Sequence, residues 1–169
     1  MRRRQPPPRL WLLTDERMGD GLFAAIERLP PGAGIVFRHR SLEAEARAAL
    51  FGKVLAAARA RDLTVVAVGR AFPGADGAHN RASTGLRTAS AHNLREIRRA
   101  ERRGADLVFL SPVHPTRSHP GAATLGARRF ARLARLARVP VVALGGMDEA
   151  RFRELRGAYG WAGIDAWLD

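Results

Sequence analysis

Short, unbroken apolar runs recur along the chain, and most are followed by a segment whose apolar residues fall at helical spacing. Leu10 to Asp15, Gly34 to Phe37, Leu63 to Val68 and Leu107 to Leu110 show the first pattern, and so does the segment from Val139 into Gly145-Gly146. Runs of this length without polar alternation suit strands buried on both faces, as in a parallel sheet. Asp76 to His79, Leu86 to Ser90 and Trp161 to Ile164 read as weaker strands. Between them, Asp20 to Leu29 predicts a helix stopped by Pro30, Pro31 and Gly32. Ser41 predicts an N-cap for an Ala-rich helix reaching Ala60, with Glu43 and Glu45 in its first turn. Leu94, Ile97 and Ala100 mark the inner stripe of another helix; Phe130, Leu133 and Leu136 mark a fourth, and Asp148 to Arg156 a fifth. About eight strands alternating with helices predict an α/β fold, the (β/α)8 TIM barrel, whose site lies at the C-terminal ends of the strands. Only Gly69 to Ala75 separate the third strand from the fourth, and only Ala166 to Asp169 follow the last. The helix after strand 3 and the C-terminal helix are therefore expected to be shortened or missing.

At 169 residues the chain is long enough for one core. Residues 1–9, rich in Arg and Pro, read as a disordered lead-in, and 10–169 as a single domain. There is no cysteine and no apolar run of membrane-spanning length, which predicts a cytoplasmic protein with no membrane partner. The net charge of +13 raises nucleic acid as a partner. However, arginines 95, 98, 99, 102 and 103, and 128, 129, 132, 135 and 138, sit at spacings that decorate the solvent side of helices. No recognition motif with interleaved aromatics accompanies them, so solvated faces are the preferred reading. Lys53 is the only lysine, a bias that fits coding preference as well as binding. Missing helices would expose apolar barrel wall, and this predicts a homo-oligomer.

Chemistry concentrates where strands run into polar loops. Leu107 to Leu110 opens onto a loop of Ser, Pro, His and Thr, and Val141 onwards onto Gly145-Gly146, whose backbone can approach an anion closely. A double glycine there reads either as a tight turn or as the phosphate cradle of a barrel. His92, in Ser90-Ala91-His92 at a strand end, reads equally as a helix cap or as an acid/base group. His79, His114 and His119 lack any carboxylate or Cys at metal-ligand spacing and read as structural or solvent-facing.

The segments LLTD (12–15), Ser90-Ala91-His92, GADLVFLSPVHPT (104–116) and PVVALGGM (140–147) resemble the thiamine-phosphate synthase and TenI-like family of small barrels. The resemblance implies coupling of a pyrimidine-methyl pyrophosphate with a thiazole phosphate, giving thiamine phosphate and pyrophosphate, with Mg2+ on the departing group. Carried over residue by residue, Arg38 and Arg40 occupy the Arg and Lys positions of the strand-two signature, and Arg70 the Arg of the strand-three signature. Ser90, Thr116, Ser118, His119, Gly145 and Gly146 match positions that contact phosphate or substrate. Gly69 and the segment Asn80 to Thr84 stand where two metal-binding carboxylates are expected, so no metal ligand is assigned. Asp165 replaces a phosphate-binding Ser. TenI-like members include a thiazole tautomerase that needs no magnesium, and His92 would be its acid/base. A third possibility is a degenerate barrel that binds phosphorylated precursors without turnover.

Overall fold

The computed structural model describes residues 6–117 and 120–168. Eight strands close into one all-parallel barrel in sequence order: β1 (Leu10–Leu13), β2 (Gly34–Phe37), β3 (Thr64–Val68), β4 (Gly77–His79), β5 (Leu86–Ala91), β6 (Leu107–Leu110), β7 (Val141–Leu144) and β8 (Gly160–Gly163). Five helices stand outside: α1 (Gly21–Arg28), α2 (Ala44–Arg59), α3 (Leu94–Arg102), α4 (Gly126–Leu136) and α5 (Glu149–Glu154). As expected, no helix follows β3. The connection from β4 to β5 has none either, because residues 80–85 are too few. Among the described residues no helix is long and apolar enough to cross a membrane.

The strands separate two apolar layers, which explains why they read as continuous apolar runs. Trp11, Leu13, Val36, Val66, Phe109 and Val142 fill the interior, with Trp11 packing edge-to-face on Phe109 at 5.3 Å. The alternate residues Ile35, Phe37, Val65, Val108 and Leu110 face outward against Ile26, Val54, Ile97 and Phe130 of the helices. Successive residues of one strand thus meet different layers, the usual packing of a barrel this narrow.

Several local expectations are corrected. Ser41 is not the cap of α2: its N–H donates to Glu16 Oε1 at 2.9 Å, and the helix begins at Ala44. The link to Glu16 satisfies the Ser41 amide outside the helix. Part of the proposed lead-in is anchored. The Pro7 carbonyl accepts from Tyr159 Oη, Pro8 O accepts from Trp11 Nε1, and Arg9 Nε donates to Tyr159 O. After β8 a single 3-10 turn, Asp165–Trp167, takes the place of a full helix. Trp167 stacks on Trp161 with ring centroids 4.9 Å apart, and its Nε1 donates to Trp11 O across the β1–β8 seam. The uncovered apolar wall is also not observed. Among the described residues Leu136 is the one large hydrophobic that is exposed.

The wall outside β2 and β3 is covered by a side chain that the sequence pattern did not single out. Arg47 of α2 is buried, and its Nη2 donates to Arg38 O at 3.0 Å and to Val68 O at 2.6 Å. Its guanidinium lies over the rings of Phe72 and Phe37, at 5.0 and 5.6 Å from their centroids. Phe72 stacks on Phe51 at 4.4 Å. One arginine and three aromatic rings thus cap the ends of β2 and β3, the second of which no helix follows.

Candidate active site

A cavity of about 690 Å³ opens at the C-terminal ends of the strands, above β6, β7 and β8. Its floor is the turn after β7, where Gly145 and Gly146 take φ of +95° and +59°. A Cβ at 145 would lie 2.7 Å from Pro112 Cα, and one at 146 would lie 2.5 Å from Pro115 O. Both conformation and space therefore demand glycine at these two positions. The β6 loop is locked onto this turn: Val113 N–H donates to Leu144 O at 2.9 Å and His114 N–H to Gly145 O at 3.0 Å. Burial pushes the His114 imidazole pKa down, and the nearby Arg151 charge adds to that.

Three arginines reach the cavity. Arg38 enters from the end of β2, Arg117 from the β6 loop and Arg151 from α5. The Arg38 backbone N–H donates to Thr14 Oγ1, and its Nη2 pairs with Asp15 Oδ2 at 2.9 Å. Burial lowers the Arg38 pKa, partly offset by Asp15. Burial would raise the Asp15 pKa, but hydrogen bonds and charge from Arg17, with the Arg38 charge, outweigh it and hold the carboxyl below its ordinary value. Arg151 Nη1 donates to Gly146 O, so its guanidinium is fixed beside the glycine turn. Asp148 and Asp165 add negative charge at the rim.

His92 lines the same cavity. Its Nδ1 lies 2.8 Å from Glu96 Oε2, and its backbone N–H donates to that same oxygen at 2.9 Å. Burial would raise the Glu96 pKa, but the hydrogen bonds from His92 and Asn93 prevail and keep it ionised. An ionised carboxylate on Nδ1 fixes the imidazole orientation and favours the proton on that nitrogen.

The site residues expected from sequence divide accordingly. Arg38, His92, Thr116, Gly145 and Gly146 meet at the cavity. Ser118 and His119 lie outside the described residues. Arg40 is exposed and does not line the cavity, and Arg70 instead lies over the ring of Phe72 at 5.0 Å. Ser90 points away from the mouth's lining: its Oγ is 2.9 Å from His79 Nε2, while Thr88 Oγ1 is 2.9 Å from His79 Nδ1. This polar chain is inside the barrel, where burial pushes the His79 pKa down to about 4, with the charges of Arg40 and Arg38 contributing. Sequence reasoning missed Arg151, Arg117 and Glu96. Only Glu96 left a signal, standing four residues after His92 where one helical turn brings side chains together. No three His, Cys, Asp or Glu side chains converge as a metal site among the described residues.

Comparisons with known proteins agree with this architecture. A structure of thiamine phosphate pyrophosphorylase from Pyrococcus furiosus superposes with a TM-score of 0.79, covering 94% of this chain and 86% of that one at 23% identity. A protein of Aquifex aeolicus named thiamine-phosphate synthase 2 is 39% identical over 82 residues, which are 47% of this chain and 44% of the relative. The thiamine-phosphate synthase of Methanococcus vannielii is 36% identical over 67 residues, 40% of this chain and 32% of the relative. The chain thus matches less than half the length of these curated relatives. The model of the family described as thiamine monophosphate synthase matches residues 75–167, from the approach to β4 through the turn after β8. With more than half of its length matched in this way, the chain belongs to the thiamine monophosphate synthase (TMP-TENI) family.

Proposed function

We propose that the barrel mouth binds a phosphorylated thiazole and that the chain acts in thiamine biosynthesis as a thiamine-phosphate synthase. The observation that carries this reading is the Gly145-Gly146 turn, where left-handed backbone and close packing leave room for glycine alone, beside the fixed guanidinium of Arg151. Such a turn lets the backbone approach phosphate oxygens, and an arginine fork matches them. In the coupling, the thiazole nitrogen would form a bond to the pyrimidine methyl carbon while that carbon's bond to pyrophosphate breaks with its electron pair. The leaving group takes up negative charge, and Arg38 and Arg117 stand at the same cavity to stabilise it. The family resemblance implies Mg2+, but Gly69 and residues 80–84 offer no carboxylate and no acidic cluster converges among the described residues. The residues present do not fit the ion in the expected manner. A cytoplasmic location belongs to the same proposal.

The His92–Glu96 pair favours a second reading, a thiazole tautomerase, because an oriented imidazole can give and take a proton on a bound thiazole. A fluorescence assay for thiamine phosphate, with both phosphorylated precursors and magnesium, separates the two. Product that falls at least about tenfold in Arg38→Ala and in Gly146→Ala supports the synthase. Binding of thiazole phosphate without product removes it, and loss of proton exchange in His92→Asn then supports the tautomerase. Binding with neither activity leaves a precursor-binding barrel.

A further inference from the structure

The missing helix between β4 and β5 leaves a second cavity, of about 520 Å³, on the flank of the barrel outside β5. We propose that this flank is a separate anion site that takes a small molecule carrying two or more linked phosphates. Its walls come from three elements: Arg81 from the β4–β5 connection, Arg87 from β5, and Arg99 and Arg103 from the end of α3. Small residues, among them Ala89 and Ala100, also line it and leave room between the guanidinium groups. The volume lies in the ordinary range of small-molecule sites.

The charge balance and the state of these arginines carry the argument. Glu96 is the one carboxylate lining the cavity, and it is already engaged by His92 and Asn93. Asp106 stands next to the site and accepts the backbone N–H of Arg87. Elsewhere the helices neutralise their arginines locally, as Arg98 does with Glu101 and Arg153 with Glu149. Arg99 and Arg103 enter no such pair among the described residues. Arg81 Nη1 reaches Gly69 O, and Arg87 Nη1 reaches Arg103 O at a long 3.5 Å. Arg87 Nε is buried with no hydrogen-bond partner among the described residues. Four guanidinium groups from three elements, with most donors uncommitted, exceed what one phosphate group can use. Their forked donors suit the several oxygens of a diphosphate or triphosphate.

The test is calorimetric titration of the whole chain at low ionic strength with inorganic pyrophosphate and, separately, with ADP. Three proteins are compared: the unaltered chain, Arg99→Ala/Arg103→Ala, and Arg128→Ala/Arg132→Ala, which removes equal charge from exposed positions of α4. The expected result is that the α3 double variant weakens binding at least about tenfold while the α4 variant changes it less than about twofold. Equal ADP and pyrophosphate affinities would assign the site to linked phosphates alone, whereas tighter ADP would assign it to a nucleotide. Unchanged binding in the α3 variant, or equal losses in both variants, would overturn the proposal. Pyrophosphate is also the leaving group of the reaction proposed at the barrel mouth, so the three proteins are compared in an Arg38→Ala/Arg117→Ala background that weakens binding there; neither titrant reports thiamine phosphate formation, so failure here leaves the reading of the barrel mouth intact.

Discussion

Replacing Arg47 by Ala tests whether one side chain substitutes for a missing helix. Arg47 is 8% exposed, and the substitution removes two charged hydrogen bonds, to Arg38 O and Val68 O, each contributing about 1.5–3 kcal/mol net. It also removes stacking on Phe37 and Phe72, about 1–2 kcal/mol where desolvated. Against this, the wild-type chain bears the cost of burying a cation whose Nε has no partner, several kcal/mol, and about 2 kcal/mol of side-chain entropy. These ranges nearly cancel, so the loss rests on the Arg38 and Val68 carbonyls left without a donor, about 1–3 kcal/mol each; a destabilisation of about 3 kcal/mol lowers the melting temperature by about 6–12 °C for a domain of this size. Arg47→Met keeps the apolar stem and drops the buried charge, so it should cost roughly half as much. Urea unfolding of the three proteins, followed by circular dichroism, gives the numbers. Because Arg47 holds the Arg38 carbonyl, the rate of thiamine phosphate formation should also fall. An Arg47→Ala chain within about 1 kcal/mol of wild type would refute the reasoning, since the two strand ends would then be held by something else.

Three further outcomes are expected. His79, with its pKa near 4 in the fold against about 6.5 unfolded, binds fewer protons folded than unfolded between those values; stability therefore falls as pH drops through that window, by about 3 kcal/mol in full. Urea midpoints at pH 7 and pH 4.5 should diverge for wild type and converge for His79→Gln, and equal divergence in both would refute the assignment. Trp167→Ala removes the stack on Trp161 and the bond to Trp11 O, at a cost of about 3–5 kcal/mol; a melting shift below about 3 °C would mean the β1–β8 seam does not depend on it. Gly146→Ala should lose thiazole phosphate binding at least about tenfold and destabilise the chain by about 1–3 kcal/mol, and unimpaired binding by calorimetry would place the phosphate elsewhere.

The barrel was legible because most strands meet an apolar layer on both faces, and such strands announce themselves as unbroken runs. Leu107 to Leu110 and Gly34 to Phe37 were read to the residue for that reason. Element ends were less legible where long-range bonds decide them. The contact of Ser41 with Glu16 spans 25 positions and leaves no local trace. At the site, glycines and strand-end residues were legible because their conformational demands are local. Ser90 was not, since its proximity to His79 depends on the register of β4 with β5. Arg151 escaped because an arginine on a short helix looks like any solvated one until the helix is seen beside Gly146.

The arginine excess acquires a physical meaning that composition alone could not supply. A barrel built from few residues leaves strand ends and connections without the helices that would otherwise cover them, and their carbonyl groups need donors. Arg28 donates to Trp167 O and Leu168 O at the 3-10 turn after β8. Arg59 reaches Leu63 O just before β3, and Gly74 O and both carboxylate oxygens of Asp76 along the helix-free link after it. Arg81 reaches Gly69 O in the same region, and Arg61 bridges to Leu29 O. An ammonium presents one compact charge, whereas a guanidinium fork can reach two or three carbonyl groups from one stem that also covers apolar surface. Arg28, Arg47, Arg59, Arg61 and Arg81 thus serve to finish the barrel, beside the arginines that decorate the solvent side of its helices.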